Sequence, residues 1–361
     1  MDIDGMRDTF FKISLLAGYH NAKYSVMQLM LMILACIRGR ESFEEGAKAP
    51  SAQTLRDRLH LDGEWLEYFH ACMWALAEQL VKYYRRPKWW ISIDEVYEPF
   101  FGNRKKLNEE LVAAGFGKMV HGYRAKTPGA TGSFCYLVVS LCCWRIRLPI
   151  AIRMMAEGEP YQPWLEPILK NLRQLVPHAK ILADRGFGKS TWFHHMIERL
   201  GKNAVIRIPL RKKSLKKKVE RGQRRLLYWM TDSETKEKAL LTVRVAKDKQ
   251  DRRYIFAIDE DNKASPKQVL TDYLKRWDLE NIFKDSERVQ LPTSSRNPLM
   301  RLFCVVLSFF LFVLWQVSRL KGLRNARRPS LRQFVKQIIT QLCSLLGCLI
   351  TQLGQLVHRP P

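Results

Sequence analysis

Three carboxylates in this sequence stand where a carboxylate needs a reason. In "WWISID" the alternation Trp90, Ser92, Asp94 puts Asp94 on one face of an otherwise apolar strand, where a charge without a task is costly. In "KILADRGFGKST", residues 180–191, Asp184 closes a second apolar strand. In "YLKRWDLENIFKD", Glu280 has Trp277 and Phe283 three residues away on either side and Arg276 and Lys284 four away, so it shares a helix face with apolar and basic neighbours. Asp278 and Asp285 on the same helix are less closely tied to that flank. Carboxylates drawn from three distant parts of a chain are what a metal-dependent nuclease needs, because two divalent ions held close together demand oxygen ligands.

The stretch around Asp184 also admits a competing reading. From Ala183 to Ser190 it fits a relaxed phosphate-binding loop, A-x-x-x-x-G-K-S, with "YIFAID" delivering a magnesium-binding Asp259. Two features count against it. Ala183 stands where the turn calls for glycine, and the Asp184 carboxylate would lie where backbone N–H groups should cradle phosphate. The carboxylate reading is therefore preferred over a nucleotide-hydrolysing enzyme.

Those side chains require particular elements to carry them. Residues 1–86 read as a helical N-terminal domain; within it "PSAQTLRDRLHLD" reads either as the second helix of a DNA-binding helix-turn-helix, capped by Ser51 and carrying Thr54, Arg56 and Arg58, or as a plain surface helix. Pro87 ends this region. Strands follow at "KWWISIDEVYEPFF", "SFCYLVVSLCCW" and "RLPIAIRMM", then a helix at 163–176, strand "AKILAD", helix "STWFHHMIERL", strand "NAVIRIPL" and, after an interruption, one long helix, "KQVLTDYLKRWDLENIFKD". The order β-β-β-α-β-α-β-α is that of a ribonuclease-H-like α/β domain, a mixed sheet with flanking helices, here spanning 87–208 and 263–316. The interruption, 209–262, reads as a basic β insertion before the last catalytic helix. Its first half holds nine basic residues against Glu220 alone, and its second half alternates like a hairpin. From 317 to 361 the chain is a basic, then helical, C-terminal tail.

Composition narrows the partner. Sixty-one Lys and Arg against 35 Asp and Glu leave a net charge of +26, more than a small-molecule enzyme needs and suited to a polyanion. The eight cysteines show neither C-x-x-C pairs nor zinc-site spacing and read as small apolar residues in a reducing compartment. "MDIDGMRDTFFK" lacks the basic start and apolar run of a secretory leader, so a cytoplasmic, nucleoid-associated protein is expected. The apolar run "LFCVVLSFFLFVLW", 302–315, is shorter than the roughly 20 residues of a bilayer span and reads as a buried helix, with no membrane role.

"ISIDEVYEPFFG", "ILADRGFGKSTWF" and "YLKRWDLENIFKD", in that order, resemble the DDE transposases of bacterial and archaeal insertion sequences, in particular the group with a Tyr-x2-Arg-x3-Glu-x6-Lys signature. Tyr273, Arg276 and Glu280 match its spacing, and position 287 is Glu where the signature has Lys. The resemblance covers about 88–316. It implies that Asp94, Asp184 and Glu280 are catalytic and bind two Mg2+ or Mn2+ ions, for cutting and joining DNA at the element ends. It implies further that Arg185, Tyr273, Arg276, Lys284 and Arg288 position the strand; the charge of the basic insertion, within a chain of net +26, separately points to Lys212, Lys213, Lys216 and Lys217 on DNA phosphates rather than a merely solvated charge run. Double-stranded DNA, as terminal inverted repeats and as target, and a second copy of the chain in a synaptic dimer are the implied partners. Glu287 also leaves open a DNA-binding protein of the same descent without catalysis.

Overall fold

A computed structural model describes residues 64–84, 88–122, 127–143, 146–200, 203–209, 213–232, 235–250, 252–258, 264–290 and 293–321, with isolated positions beyond. Residues 1–63 of the expected N-terminal domain, including the DNA-binding helix near Ser51, nearly all of the C-terminal tail beyond 321, Lys212 and Asp259 lie outside the described residues. The chain divides into two compact units, Met73–Asn281 and a second made of Met1–Cys72 with Ile282–Pro361.

The larger unit is built on one mixed sheet. Its strands are β1 (Trp90–Phe100), β2 (Val120–His121), β3 (Gly132–Cys143), β4 (Ile146–Met155), β5 (Lys180–Ala183), β6 (Ala204–Arg207), β7 (Arg225–Thr231), β8 (Lys238–Lys247) and β9 (Arg253–Ile258). They run in the order β2-β3-β1-β5-β6-β9-β8-β7, with β4 also on β3. The centre is parallel: β1 pairs with β5, and β5 with β6. Antiparallel pairs flank it on both sides. β3, "GSFCYLVVSLCC", is buried along its whole length, as a strand covered on both faces must be.

Helices α1 (Glu64–Tyr83), α2 (Arg104–Ala113), α3 (Gln162–Leu175), α4 (Thr191–Arg199), α5 (Lys213–Glu220), α6 (Pro266–Leu274) and α7 (Trp277–Ser286) complete the described order, with α8 (Pro298–Lys321). The unit boundaries fall inside α1 and α7. Local chemistry sets the starts. Asn103 caps α2, Ser190 caps α4, and Ser265 caps α6 ahead of Pro266, each accepting a backbone N–H three residues on.

Several elements differ from the sequence expectation. α2 was not expected; its mean hydropathy is low, and only Leu107, Asn108 and Leu111 are buried, so the apolar stripe is too short to be seen. Buried Asn108 ties it to β2 by accepting from Val120 N and donating to Val120 O. The basic half of 209–262 is a helix rather than strand, because Leu215 and Val219, four apart, are its buried face while the lysines point outward. The rest of that segment, β7 to β9, continues the main sheet through β9 on β6. The long helix 267–285 is two helices, parted at Lys275–Arg276.

In the second unit, α8 extends the apolar run to a 24-residue helix. By length and composition it is able to cross a membrane, yet 83% of its apolar window is buried within the protein. Phe309 packs on Phe283, ring centroids 5.3 Å apart.

The turn after β5 depends on one close approach. A Cβ on Gly188 would lie 2.0 Å from Arg207 O on β6, and backbone cannot move aside, whereas one on Gly186 would meet nothing. Gly188→Ala is therefore expected to destabilise the protein by about 1–3 kcal/mol in urea unfolding, with Gly186→Ala close to wild type. Equal stability of the two variants would remove the close packing of this turn on β6.

Candidate active site

The register of the parallel strands sets the first pair of carboxylates side by side. Ile93 on β1 stands opposite Ala183 on β5, so the next position on each strand is Asp94 and Asp184. Adjacent strands lie about 4.8 Å apart. Asp184 leads the chain into a tight turn, its carbonyl accepting from Phe187 N at 3.1 Å and Gly188 N at 3.2 Å. Those two N–H groups are thereby used inside the turn, and Ser190 Oγ accepts from Phe193 N. Ser190 N also donates to Phe187 O, so three of the loop's amides are spent within the turn, which counts against the phosphate-loop reading of 183–190.

Helices α6 and α7 bring the other groups. Tyr273, near the end of α6, is buried and its hydroxyl donates to Asp184 Oδ1 at 3.0 Å. Arg276, at the junction of α6 and α7, is buried, and its guanidinium donates through one terminal nitrogen to Asp94 Oδ2 and through the other to Glu280 Oε1 at 2.9 Å. Arg276 also lies over the Tyr273 ring, 5.5 Å from its centroid, and that ring rests on Phe256. All three carboxylates thus meet one Tyr-Arg pair. Asp94 and Arg276 are nearly buried, and the Glu280 side chain is 43% exposed, which makes it the side of the cluster open to solvent.

Burial pushes the Asp94 carboxyl up to about 7; Arg276 pulls it down, and Asp184 and Glu280 push it up again. Burial likewise takes the Tyr273 hydroxyl up to about 12, with Arg276 opposing and Asp184 adding to the rise. For Arg276 burial alone would favour the neutral form, but Asp94, Tyr273, Asp184 and Glu280 together hold it above its usual range. Ionisation of Asp94 adds a further negative charge to the cluster.

Its donors fit a divalent cation in kind: carboxylate oxygens only, suited to Mg2+ or Mn2+. As the side chains stand, no group of three His, Cys, Asp or Glu among the described residues is arranged to hold an ion. Arg276 lies between Asp94 and Glu280 and acts as their cation.

The remaining sequence candidates are placed more simply. Arg185 is exposed on the turn beside Asp184. Lys216 and Lys217 are exposed on α5, Lys216 within 3.8 Å of Glu220. Lys213 begins that helix. In the second unit Lys284 and Arg288 are exposed, Arg288 3.6 Å from Asp285. Burial raises the Glu287 carboxyl, with Lys284 opposing.

One positioning contact escaped the sequence. Arg147 Nε, on β4, donates to Asp278 Oδ1 at 2.9 Å, tying the first turn of α7 to the sheet. An Asp in the first turn of a helix was its only signal.

Half of the chain, residues 118–298, matches the family described as the transposase DDE domain. The chain belongs to the DDE transposase family. The match takes in Asp184 and Glu280 and begins after Asp94. Among solved structures, that of the piggyBac transposase synaptic complex with hairpin DNA, by cryo-EM, is similar over 98% of this chain and 78% of that one, at 12% identity and a TM-score of 0.51. That likeness gives the fold, a ribonuclease-H-like mixed sheet with flanking helices. No curated protein matches the sequence.

The raised Asp94 carboxyl has a signed consequence in this DDE domain. A group whose folded pKa lies above its unfolded value contributes stability at low pH and loses it as pH rises through about 7. Binding of a divalent cation needs the ionised form and therefore improves over the same range, by about tenfold in affinity for Mn2+ between pH 6 and 8. Calorimetric titration at the two pH values measures this; an affinity independent of pH would show that Asp94 is not a ligand.

Proposed function

We propose that this DDE transposase is the enzyme of an insertion sequence, cutting and joining DNA at the element's ends in a reaction that depends on divalent metal ions. The observation that carries the proposal is the convergence of Asp94, Asp184 and Glu280, from β1, the end of β5 and α7, on Tyr273 and Arg276. The Tyr273, Arg276, Glu280 spacing supports the insertion-sequence group named by the signature. Asp94, Asp184 and Glu280 would hold two Mg2+ or Mn2+ ions. When bound, such ions activate the attacking water or 3′-hydroxyl and stabilise the leaving oxygen of the scissile phosphate.

The chain's own groups then have distinct tasks. Tyr273 fixes the Asp184 carboxylate by its hydrogen bond, and the buried ring cannot swing away because Phe256 and Arg276 pack on it. Arg276 keeps Asp94 and Glu280 from repelling each other, and with its carboxylate partners taken up by metal its guanidinium would be free for a phosphate oxygen of the strand, a bidentate geometry Arg favours. Arg185, exposed at the turn next to Asp184, and Lys216 and Lys217 on α5 meet the DNA backbone, with Lys213 and Lys212 at the start of that basic run and Lys284 and Arg288 in the second unit. The net charge of +26 supports double-stranded DNA as partner, namely terminal inverted repeats and target. The similar piggyBac transposase structure, a synaptic complex with hairpin DNA, supports assembly on DNA here, and a homodimer is the form we propose for it. Work on DNA places the protein in the cytoplasm, at the nucleoid.

Glu287, in place of the signature Lys, favours a second reading, a transposase descendant that binds DNA without cutting it. Cleavage of DNA carrying the repeats that flank the gene, with Mg2+ or Mn2+, separates the two. The wild type is expected to nick at the repeat ends, while Asp184→Ala and Glu280→Ala bind the same DNA but cut at least about 100-fold more slowly. Binding by all three without cutting by any would establish the second reading instead.

A further inference from the structure

The sheet ends, among the described residues, at β7, which pairs with β8 alone. β7 is seven residues long, without proline, and alternates exposed and buried side chains. Such an edge is a template for another strand, and soluble proteins usually blunt it with charge or proline. Here its outer face carries Arg225 at one end and then Leu227 and Trp229, 57% and 60% exposed, with Leu240 of β8 beside them.

The direction of the free backbone groups follows from two hydrogen bonds. Val245 N donates to Arg224 O, and Asp232 N to Glu237 O, so the even-numbered positions of β7 turn their backbone groups toward β8. By the two-residue alternation the N–H and C=O of Leu227 and Trp229 point the other way, outward.

A two-fold axis at Tyr228 satisfies both observations. Antiparallel pairing of two β7 strands about that residue sets Leu227 opposite Trp229 of the second copy, as a pair that exchanges two hydrogen bonds, and the symmetry repeats it. The same register sets Arg225 opposite Thr231 and Arg224 opposite Asp232, so that opposite charges meet twice and like charges never do. An isologous contact of this kind needs one surface to be complementary to itself, and β7 has that property in apolar side chains, in charge and in hydrogen-bond phase together.

We propose that β7 is a homodimerisation edge: two copies of this chain join their sheets through antiparallel β7 strands centred on Tyr228. The contact stands independently of the catalytic reading, since none of the residues involved belongs to the carboxylate cluster.

Sedimentation equilibrium of the full-length protein, without DNA and at fixed salt, tests it. Wild type is expected to dimerise reversibly. Arg224→Asp and Asp232→Arg, each of which sets like charges opposite one another twice, are expected to weaken the dimer by about tenfold or more, and the double exchange to restore it to within about threefold. Leu227→Lys with Trp229→Lys, two substitutions at exposed positions that fold without difficulty, is expected to weaken it as well by placing Lys opposite Lys. A chain that stays monomeric throughout, or a dimer indifferent to these variants, overturns the proposal, and in the latter case another surface or another segment of the chain covers β7.

Discussion

The site is organised around one buried guanidinium. Taking a charge out of water costs several kcal/mol per ion unless the geometry of its partners is good, and Arg276 meets that condition by dividing its two terminal nitrogens between Asp94 and Glu280. A lysine ammonium, a point charge on a flexible stem, would not span two carboxylates in a fixed direction. Tyr273, Arg276 and Glu280, spaced three and four apart, present their side chains to one side, so Tyr273 meets Asp184 while Arg276 meets Asp94 and Glu280 across the junction of α6 and α7.

The backbone side of the arrangement is a matter of register. Because β1 and β5 are parallel and in step, Asp94 and Asp184 occupy equivalent positions on neighbouring strands and share a face. A slip of one residue would turn one of them to the opposite side of the sheet. Three contacts oppose such a slip: the eleven-residue pairing of β1 with β3, the packing of Gly188 on Arg207 at the end of β6, and the pair from Arg147 to Asp278 that fixes α7 against the sheet. On the far side of α6, Asp272 is held by Lys180 at the start of β5 and by Lys275. The helix that presents Tyr273 is therefore anchored to the same strand that presents Asp184.

Much of this was legible in the residues because buried charge is conspicuous. Asp94 in an apolar strand and Asp184 at a strand end are violations of hydrophobic pattern, and Glu280 stands on a helix face shared with apolar and basic side chains; such violations show without any knowledge of the fold. What stayed hidden depends on partners distant in the chain. Arg276 reads from its spacing as a neighbour of Glu280 and a contact for DNA, and only the convergence of β1 with the α6–α7 junction makes it the counter-ion of Asp94 as well. Asp278 looked incidental for the same reason, its partner Arg147 being 131 residues away. The split of the long helix was invisible because both halves keep helical periodicity, and β7 because exposed Leu227 and Trp229 blur the alternation that marks a half-buried strand.

The electrostatics of the whole chain and of the site run in opposite directions, and that opposition restricts what the site can do unaided. A surface of net positive charge draws DNA toward the protein, but three carboxylates with one guanidinium between them repel a phosphate that comes close. At pH below about 7 the protonated Asp94 softens the repulsion; above it the cluster bears three negative charges against one positive. A phosphate can then approach Asp94, Asp184 and Glu280 only if further positive charge accompanies it. The exposed Glu280 is where such charge can enter, since Asp94 and Tyr273 are closed off by the sheet and by Phe256. Arg276, already bound to Glu280, must move or share its partners when that happens, which couples the arrival of positive charge to the side chain that holds the site together beforehand.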